Sequence, residues 1–304
     1  MARAKAIVVS PIVAIVVLLS MAGCESKQES NPDQGVNADA ATGAQPAVEL
    51  YTLNCGEMEF ADLAIFADDG AYDGMAASMV DPCYLVRHPE GDLLWDLGLP
   101  QSIADNPDGA DYPQISLQMY VPQRLTDQLA ELGLAPEEID YVAISHSHFD
   151  HIGNGNLFAA NSTWIVDADE LAYAFRPEAR EDPGFANYNA LEDADRILIE
   201  GDDDYDVFGD GSVVIVQAPG HTPGHSVLLV NLPQSGPYIL AGDLWHIAQS
   251  RPNRRVPRFN VDREQTLGSM DKVEALADVT GARVVLQHVP EDFAAMPEFP
   301  EPLR

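Results

Sequence analysis

Cations are scarce in this sequence. Lys and Arg number 16 against 49 Asp and Glu, for a formal net charge of −33. Phosphate backbones are held by clustered Lys and Arg, so nucleic acid is excluded as a partner. The acidity reads as a solvating surface, and its long-range field repels anionic substrates except where a bound metal dominates locally. Cysteine is scarcer still, with three in the chain. Cys55 and Cys83 have no neighbouring His or base pattern, which leaves them without a catalytic role. Other absences narrow the chemistry. There is no Gly-x-Ser-x-Gly elbow to support a serine nucleophile, no Gly-rich phosphate loop and no internal repeat. No apolar run reaches the roughly 20 residues that a membrane-spanning helix needs.

The chain begins with a targeting segment. Arg3 and Lys5 precede an apolar stretch at residues 6–19, which runs into Leu19-Ser20-Met21-Ala22-Gly23-Cys24. Small residues directly before a Cys resemble the lipobox of bacterial lipoproteins, with residues 1–23 removed and Cys24 lipidated. An uncleaved anchor or an ordinary signal peptide cut nearby are the alternatives. Glu25 is not the Asp that favours inner-membrane retention, so the expected address is the periplasmic face of the outer membrane or the cell surface. Residues 24–47 are rich in Ser, Asn, Asp, Gln, Gly and Ala, a tether that cannot build a core. The only membrane contact expected is through the N-terminal lipid. Export implies an oxidising compartment, where Cys55 and Cys83 either pair or remain as two buried thiols.

Residues 48–304 read as one domain. Strand-like runs occupy residues 48–53, 83–87 and 93–97, and helical spacing marks 123–132, 167–175 and 263–278. Four further apolar runs, at 141–144, 213–217, 238–240 and 283–287, each lead into ligand-type side chains. The first enters His146-Ser147-His148-Phe149-Asp150-His151, and the others enter His221, Asp243 and His288. Strand ends of this kind converge at one edge of an α/β layered sandwich. Five of the chain's eight His and two Asp fall in this pattern, enough to hold two divalent metals with a water between them. Imidazole and carboxylate without thiolate suit zinc, and also iron, manganese or cobalt.

With those residues in view, the chain resembles the metallo-β-lactamase superfamily. The carriers are His-x-His-x-Asp-His at 146–151, Pro-Gly-His-Thr-Pro-Gly-His at 219–225, the Gly-Asp ending at Asp243, the late His288, and Leu94-Trp-Asp-Leu-Gly98. The resemblance implies a four-layer αβ/βα sandwich with a two-metal site between the sheets, zinc being the expected metal. It assigns His146, His148 and His221 to the first metal and Asp150, His151 and His288 to the second, with Asp243 bridging both. Within the superfamily the detail is most similar to N-acyl homoserine lactonases. That likeness rests on Asp243, on residues 62–66 and 72–74, and on the stretch around 259–266. It implies a metal-dependent hydrolase that cleaves a lactone or carboxylic ester through a metal-bridging hydroxide, with a small molecule as its partner. Asp150 would orient the nucleophile or shuttle its proton. Lactonases carry a Tyr three residues after the bridging Asp, where it donates to the lactone carbonyl; here that position is His246, which can also donate.

The competing readings are a β-lactam hydrolase and a non-catalytic metal-binding lipoprotein. His225 is expected to support the site rather than ligate, Asp96 to receive a His or only to fix its turn, and His88 to be solvated. Thr222 and Ser226 are expected to brace the ligand loop. Residues 106–122 would give an apolar wall, and residues 176–188 a lid, the competing reading being that these residues simply complete the core over the sheet.

Overall fold

The computed structural model describes residues 47–304. The leader, Cys24 and nearly all of the tether lie outside that range. Thirteen strands among the described residues form two sheets. The larger contains β1 (Glu49–Phe60), β2 (Ala77–His88), β3 (Gly91–Trp95), β4 (Ala110–Tyr112), β5 (Leu117–Tyr120), β6 (Tyr141–Ala143), β7 (Thr163–Asp167) and β8 (Arg196–Ile199), in the order β4-β5-β1-β2-β3-β6-β7-β8. The smaller contains β9 (Tyr205–Asp206), β10 (Val213–Gln217), β11 (Ser226–Leu232), β12 (Gly236–Leu240) and β13 (Arg283–Val285), in the order β13-β12-β11-β10-β9. Helices α1 (Leu125–Glu131), α2 (Ala168–Ala174), α3 (Ser250–Asn253), α4 (Arg263–Thr280) and α5 (Pro290–Ala294) complete the set. Among the described residues no helix is long and apolar enough to cross a membrane.

Period-two alternation explains the layering. Leu93 and Trp95 of β3 face inward with Val86, Ile215, Leu228, Val230 and Val285, so both sheets share one buried interior. Leu94, between them, faces the other way and packs with Leu85, Trp164, Leu125 and Leu129, burying α1. Val227 and Leu229 of β11 likewise turn outward to meet Met270, Val273 and Ala277 of α4. The order is helix, sheet, sheet, helix, as the resemblance implied. Asp262 caps α4 by accepting from the Gln265 N–H, and Gly281 ends it in the left-handed region at φ +71°.

One expectation is corrected and another is narrowed. His88 is not solvated: it is buried, its Nε2 lies 3.0 Å from Asp210 Oδ2, and its ring stacks on Phe208 at 4.0 Å. Residues 176–188 do line a hollow that reaches His148 and Phe149, where a lid was expected, but the segment is anchored at its end. Tyr188 is buried and meets Phe185 edge to face at 5.2 Å, with Phe175 at 6.1 Å, so the aromatic rings hold the segment on the core. The open question about the thiols resolves as a disulfide, Cys55–Cys83, with the Cα atoms 5.7 Å apart.

Candidate dinuclear metal centre

Each ligand-bearing segment leaves the C-terminal end of a strand: β6 leads to His146, β10 to His221, β12 to Asp243 and β13 to His288. The seven side chains meet. His146 Nε2, His148 Nδ1 and His221 Nε2 form a triangle with sides of 2.8, 3.1 and 3.2 Å. Each corner is a single atom. An odd ring of single atoms cannot alternate donor and acceptor, so at least one contact sets like against like unless a cation lies among them. Asp243 Oδ2 sits 3.4 Å from both His146 Nε2 and His221 Nε2. Its other oxygen, Oδ1, lies 3.2 Å from His151 Nε2 and 2.8 Å from His288 Nε2. Asp150 Oδ2 completes this second group at 3.8 Å from His151 and 3.7 Å from His288. Within each group one donor atom per residue lies within 4.8 Å of every other. Five imidazoles and two carboxylates in two such groups fit two divalent ions.

The electrostatics of the first group and of Asp243 agree. Burial and the neighbouring imidazoles hold His146 and His148 well below their ordinary value, leaving neutral rings with lone pairs to offer. Burial pushes the Asp243 carboxyl up, but His246, His288 and His151 outweigh it and hold the group well below the usual carboxylate range. A carboxylate facing both groups is thereby kept ionised.

A supporting layer fixes the ligands. Asp96 does receive a His: its Oδ2 lies 3.1 Å from His151 Nδ1, and it accepts from the Ser145 backbone N–H and hydroxyl at 2.6 and 3.0 Å. His225 supports rather than ligates. Its Nδ1 donates to the Ala218 carbonyl at 3.0 Å, and its Nε2 accepts the Asp243 backbone N–H at 3.1 Å. Burial drives this imidazole down to about 3, consistent with the neutral ring that this pairing needs. Thr222 and Ser226 brace the loop through Glu170 Oε2 and the Gly224 carbonyl. A Ser-x-x-Lys spacing does occur at Ser269 and Lys272 on α4, but these side chains bond the Pro219 carbonyl and Asp204 and face no nucleophilic task.

His246 joins the site. It is buried, lines the same cavity as Asp243 and His288, and its Nε2 lies 2.9 Å from Asp243 Oδ2 without hydrogen-bond alignment. That cavity has a volume of about 240 Å³, with an apolar wall that includes Phe60, Phe66, Met79, Phe149 and Phe259. Tyr112 and Ile115 of the expected wall do line it, whereas Leu117 turns into the core. A second hollow of about 550 Å³ adjoins across Tyr112, His148 and Phe149. Three buried residues near the site carry no sequence signal: Ser145, Glu170 and Asp81. Burial, with Asp150 adding to it, pushes the Asp81 carboxyl well above its ordinary range.

Known proteins share this arrangement. Residues 81–288 match the metallo-beta-lactamase superfamily. The N-acyl homoserine lactonase AttM of Azorhizobium caulinodans is 32% identical over 265 residues, covering 83% of this chain and 97% of that protein. The chain belongs to the N-acyl homoserine lactonase family of that superfamily. It is a metal-dependent hydrolase. Another family member, the N-acyl homoserine lactonase of Bacillus cereus, is 30% identical over 223 residues, or 72% of this chain and 85% of that protein. A solved N-acyl homoserine lactone hydrolase, with N-hexanoyl-L-homoserine bound at its catalytic metal centre, aligns with a TM-score of 0.71 at 25% identity. That match covers 84% of this lactonase-family chain and 98% of the other.

Proposed function

We propose that the protein is a dinuclear-metal hydrolase of lactones and carboxylic esters that opens N-acyl homoserine lactones, with zinc as its metal. The observation that carries this is Asp243, whose two oxygens each face a separate group of His nitrogens. In this reading His146, His148 and His221 hold one ion, Asp150, His151 and His288 hold the other, and Asp243 spans both. When bound, two divalent cations supply a Lewis acid for the carbonyl and lower the pKa of water toward neutrality. The remaining work belongs to the chain. Asp150, on the cavity side of the second group, orients the attacking water or takes its proton. His246 offers an N–H to the carbonyl oxygen as charge develops there, or to the leaving alkoxide. The Phe and Met wall holds an acyl chain and excludes bulk water. We also place the protein outside the cytoplasm, tethered through lipidated Cys24. The Cys55–Cys83 disulfide supports an oxidising compartment.

The full-length protein, loaded with zinc and assayed on N-hexanoyl homoserine lactone, nitrocefin, a glutathione thioester and a phosphodiester, tests the reading. Two ions per chain with lactone opening well ahead of the others is the expected result. Nitrocefin turnover without lactone opening would transfer the site to β-lactam hydrolysis, although a carboxylate shared between metals is atypical there. Fewer than two ions and no turnover would make it a metal-binding lipoprotein.

A further inference from the structure

We infer that Glu170, which ligates nothing, is a positioning residue that staples together the two loops supplying the first group of ligands; this rests on reading His146, His148 and His221 as that group. Glu170 is 1% exposed, and among the described residues no Lys, Arg or His lies in ion-pair range of it. Its Oε1 accepts from the Ser147 backbone N–H at 2.7 Å and the Ser147 hydroxyl at 2.6 Å. Its Oε2 accepts from the Thr222 hydroxyl at 2.6 Å and the Gly224 backbone N–H at 3.1 Å. Ser147 stands between His146 and His148, and Thr222 follows His221. One carboxylate therefore bonds, through each of its oxygens, a different loop of the same ligand group. Four donors use up its acceptor capacity, and only a carboxylate can receive all four.

The neighbouring geometry is built to keep the carboxylate there. Asp167 caps α2 by accepting from the Asp169 and Glu170 N–H groups at 2.8 and 3.2 Å, which fixes the first turn that carries Glu170. The second loop docks on that turn through Gly224. A Cβ at that position would lie 2.3 Å from Asp167 Oδ1 and 2.4 Å from the Glu170 nitrogen, so any side chain forces the loop away. The second ligand group has further supports that do not pass through Glu170, His151 through Asp96 and His288 through the Val80 carbonyl at 2.9 Å, although Ser145 Oγ reaches both His146 and His151 at 3.1 Å. Loss of Glu170 should thus be felt more at one ion than at the other.

Glu170→Gln keeps the shape but turns one acceptor into a donor, which faces a fixed backbone N–H on whichever side it points. The full-length chain, stripped of metal and titrated with zinc against a competing chelator, gives the readout. The variant should hold one ion nearly as the wild type does and the other about 10–100-fold more weakly, the range for losing a support behind a metal ligand. Lactone turnover should recover as zinc is raised. Gly224→Ala should reproduce the pattern from the opposite side, and Thr222→Val, which removes one donor, should fall between it and wild type. Unchanged affinity for both ions, or equal weakening of both, in Glu170→Gln and Thr222→Val would overturn the inference. The zinc titration needs no substrate, so a protein that binds two ions but opens no lactone would end the lactonase reading and leave this one standing.

Discussion

His246, the donor in the proposed mechanism, lines the cavity beside Asp243 and His288. Its ring lies between Phe66 and Phe259, with centroids at 5.1 and 5.4 Å, and stacks on His288 at 6.0 Å. Burial lowers this imidazole below its ordinary value despite the pull of Asp243, which favours the neutral ring that the proposed donor role uses. An N–H aimed at developing carbonyl charge is worth roughly 10²–10³ in kcat. His246→Phe should therefore lower kcat by about 10²-fold, with KM and metal content little changed. His246→Tyr, which restores a donor on an aromatic ring, should stay within about tenfold of wild type. Loss of one ion in His246→Phe would reassign the residue as a ligand, and unchanged kcat would leave it a packing residue. Asp96 shows the same economy of purpose: it adopts the left-handed region at φ +56°, disfavoured for a side chain, in the turn that brings its carboxylate to Ser145 and His151.

Among the elements, the β1–β2 pair underlies that turn. Register shifts between Asn54 and Glu57, at the bulge that carries Cys55, and the disulfide ties this bulge to Cys83 of β2. Gly98, two residues past Asp96, rests directly on the bond: a Cβ there would come within 2.2 Å of Cys55 Cβ and 3.0 Å of Cys83 Sγ. The bridge spans 28 residues, and closing a loop of that size removes denatured-state entropy worth about 3–4 kcal/mol. Cys55→Ser with Cys83→Ser should lower the Tm by about 6–16 °C in thermal denaturation, at about 2–4 °C per kcal/mol for a domain of this size. No change in Tm would mean that strand pairing alone sets the bulge. The legibility of the sequence divides along the same elements. Runs such as Val213–Gln217 ending in a ligand loop were readable because burial and chemistry are both local. The first half of β2 was not, since Asp81-Pro82 interrupts the apolar pattern and the strand's pairing with β1 supplies what the local sequence lacks. Glu170 reads locally as a solvent-facing acid in a helix's first turn, and its inward role depends on Gly224, 54 residues away. His88 was misread for the same reason, its partner Asp210 being 122 residues distant.

On the scale of the whole molecule, charge is the dominant fact. A net −33 creates mutual repulsion that favours expansion. Against it stand ion pairs such as Arg180–Glu192 and Arg258–Asp73, which are largely exposed. Pairs of that kind are screened by solvent and contribute little to stability. Raising salt from about 10 mM to about 0.15 M shortens the screening length from about 30 Å to about 8 Å, which suppresses the long-range repulsion while contacts near 3 Å lose less. The Tm of the metal-loaded protein should accordingly rise over that range. A monotonic fall would show that local pairs outweigh the net charge. The same field concentrates divalent cations near a site whose own donors include two carboxylates, and it has no purchase on a neutral lactone. The kcat/KM for N-hexanoyl homoserine lactone should therefore stay flat across the salt series. The ring-opened product carries a carboxylate that the field repels, so its inhibition should strengthen as salt rises. Product inhibition that weakens with salt would locate the controlling charge at the metals rather than in the acidic surface.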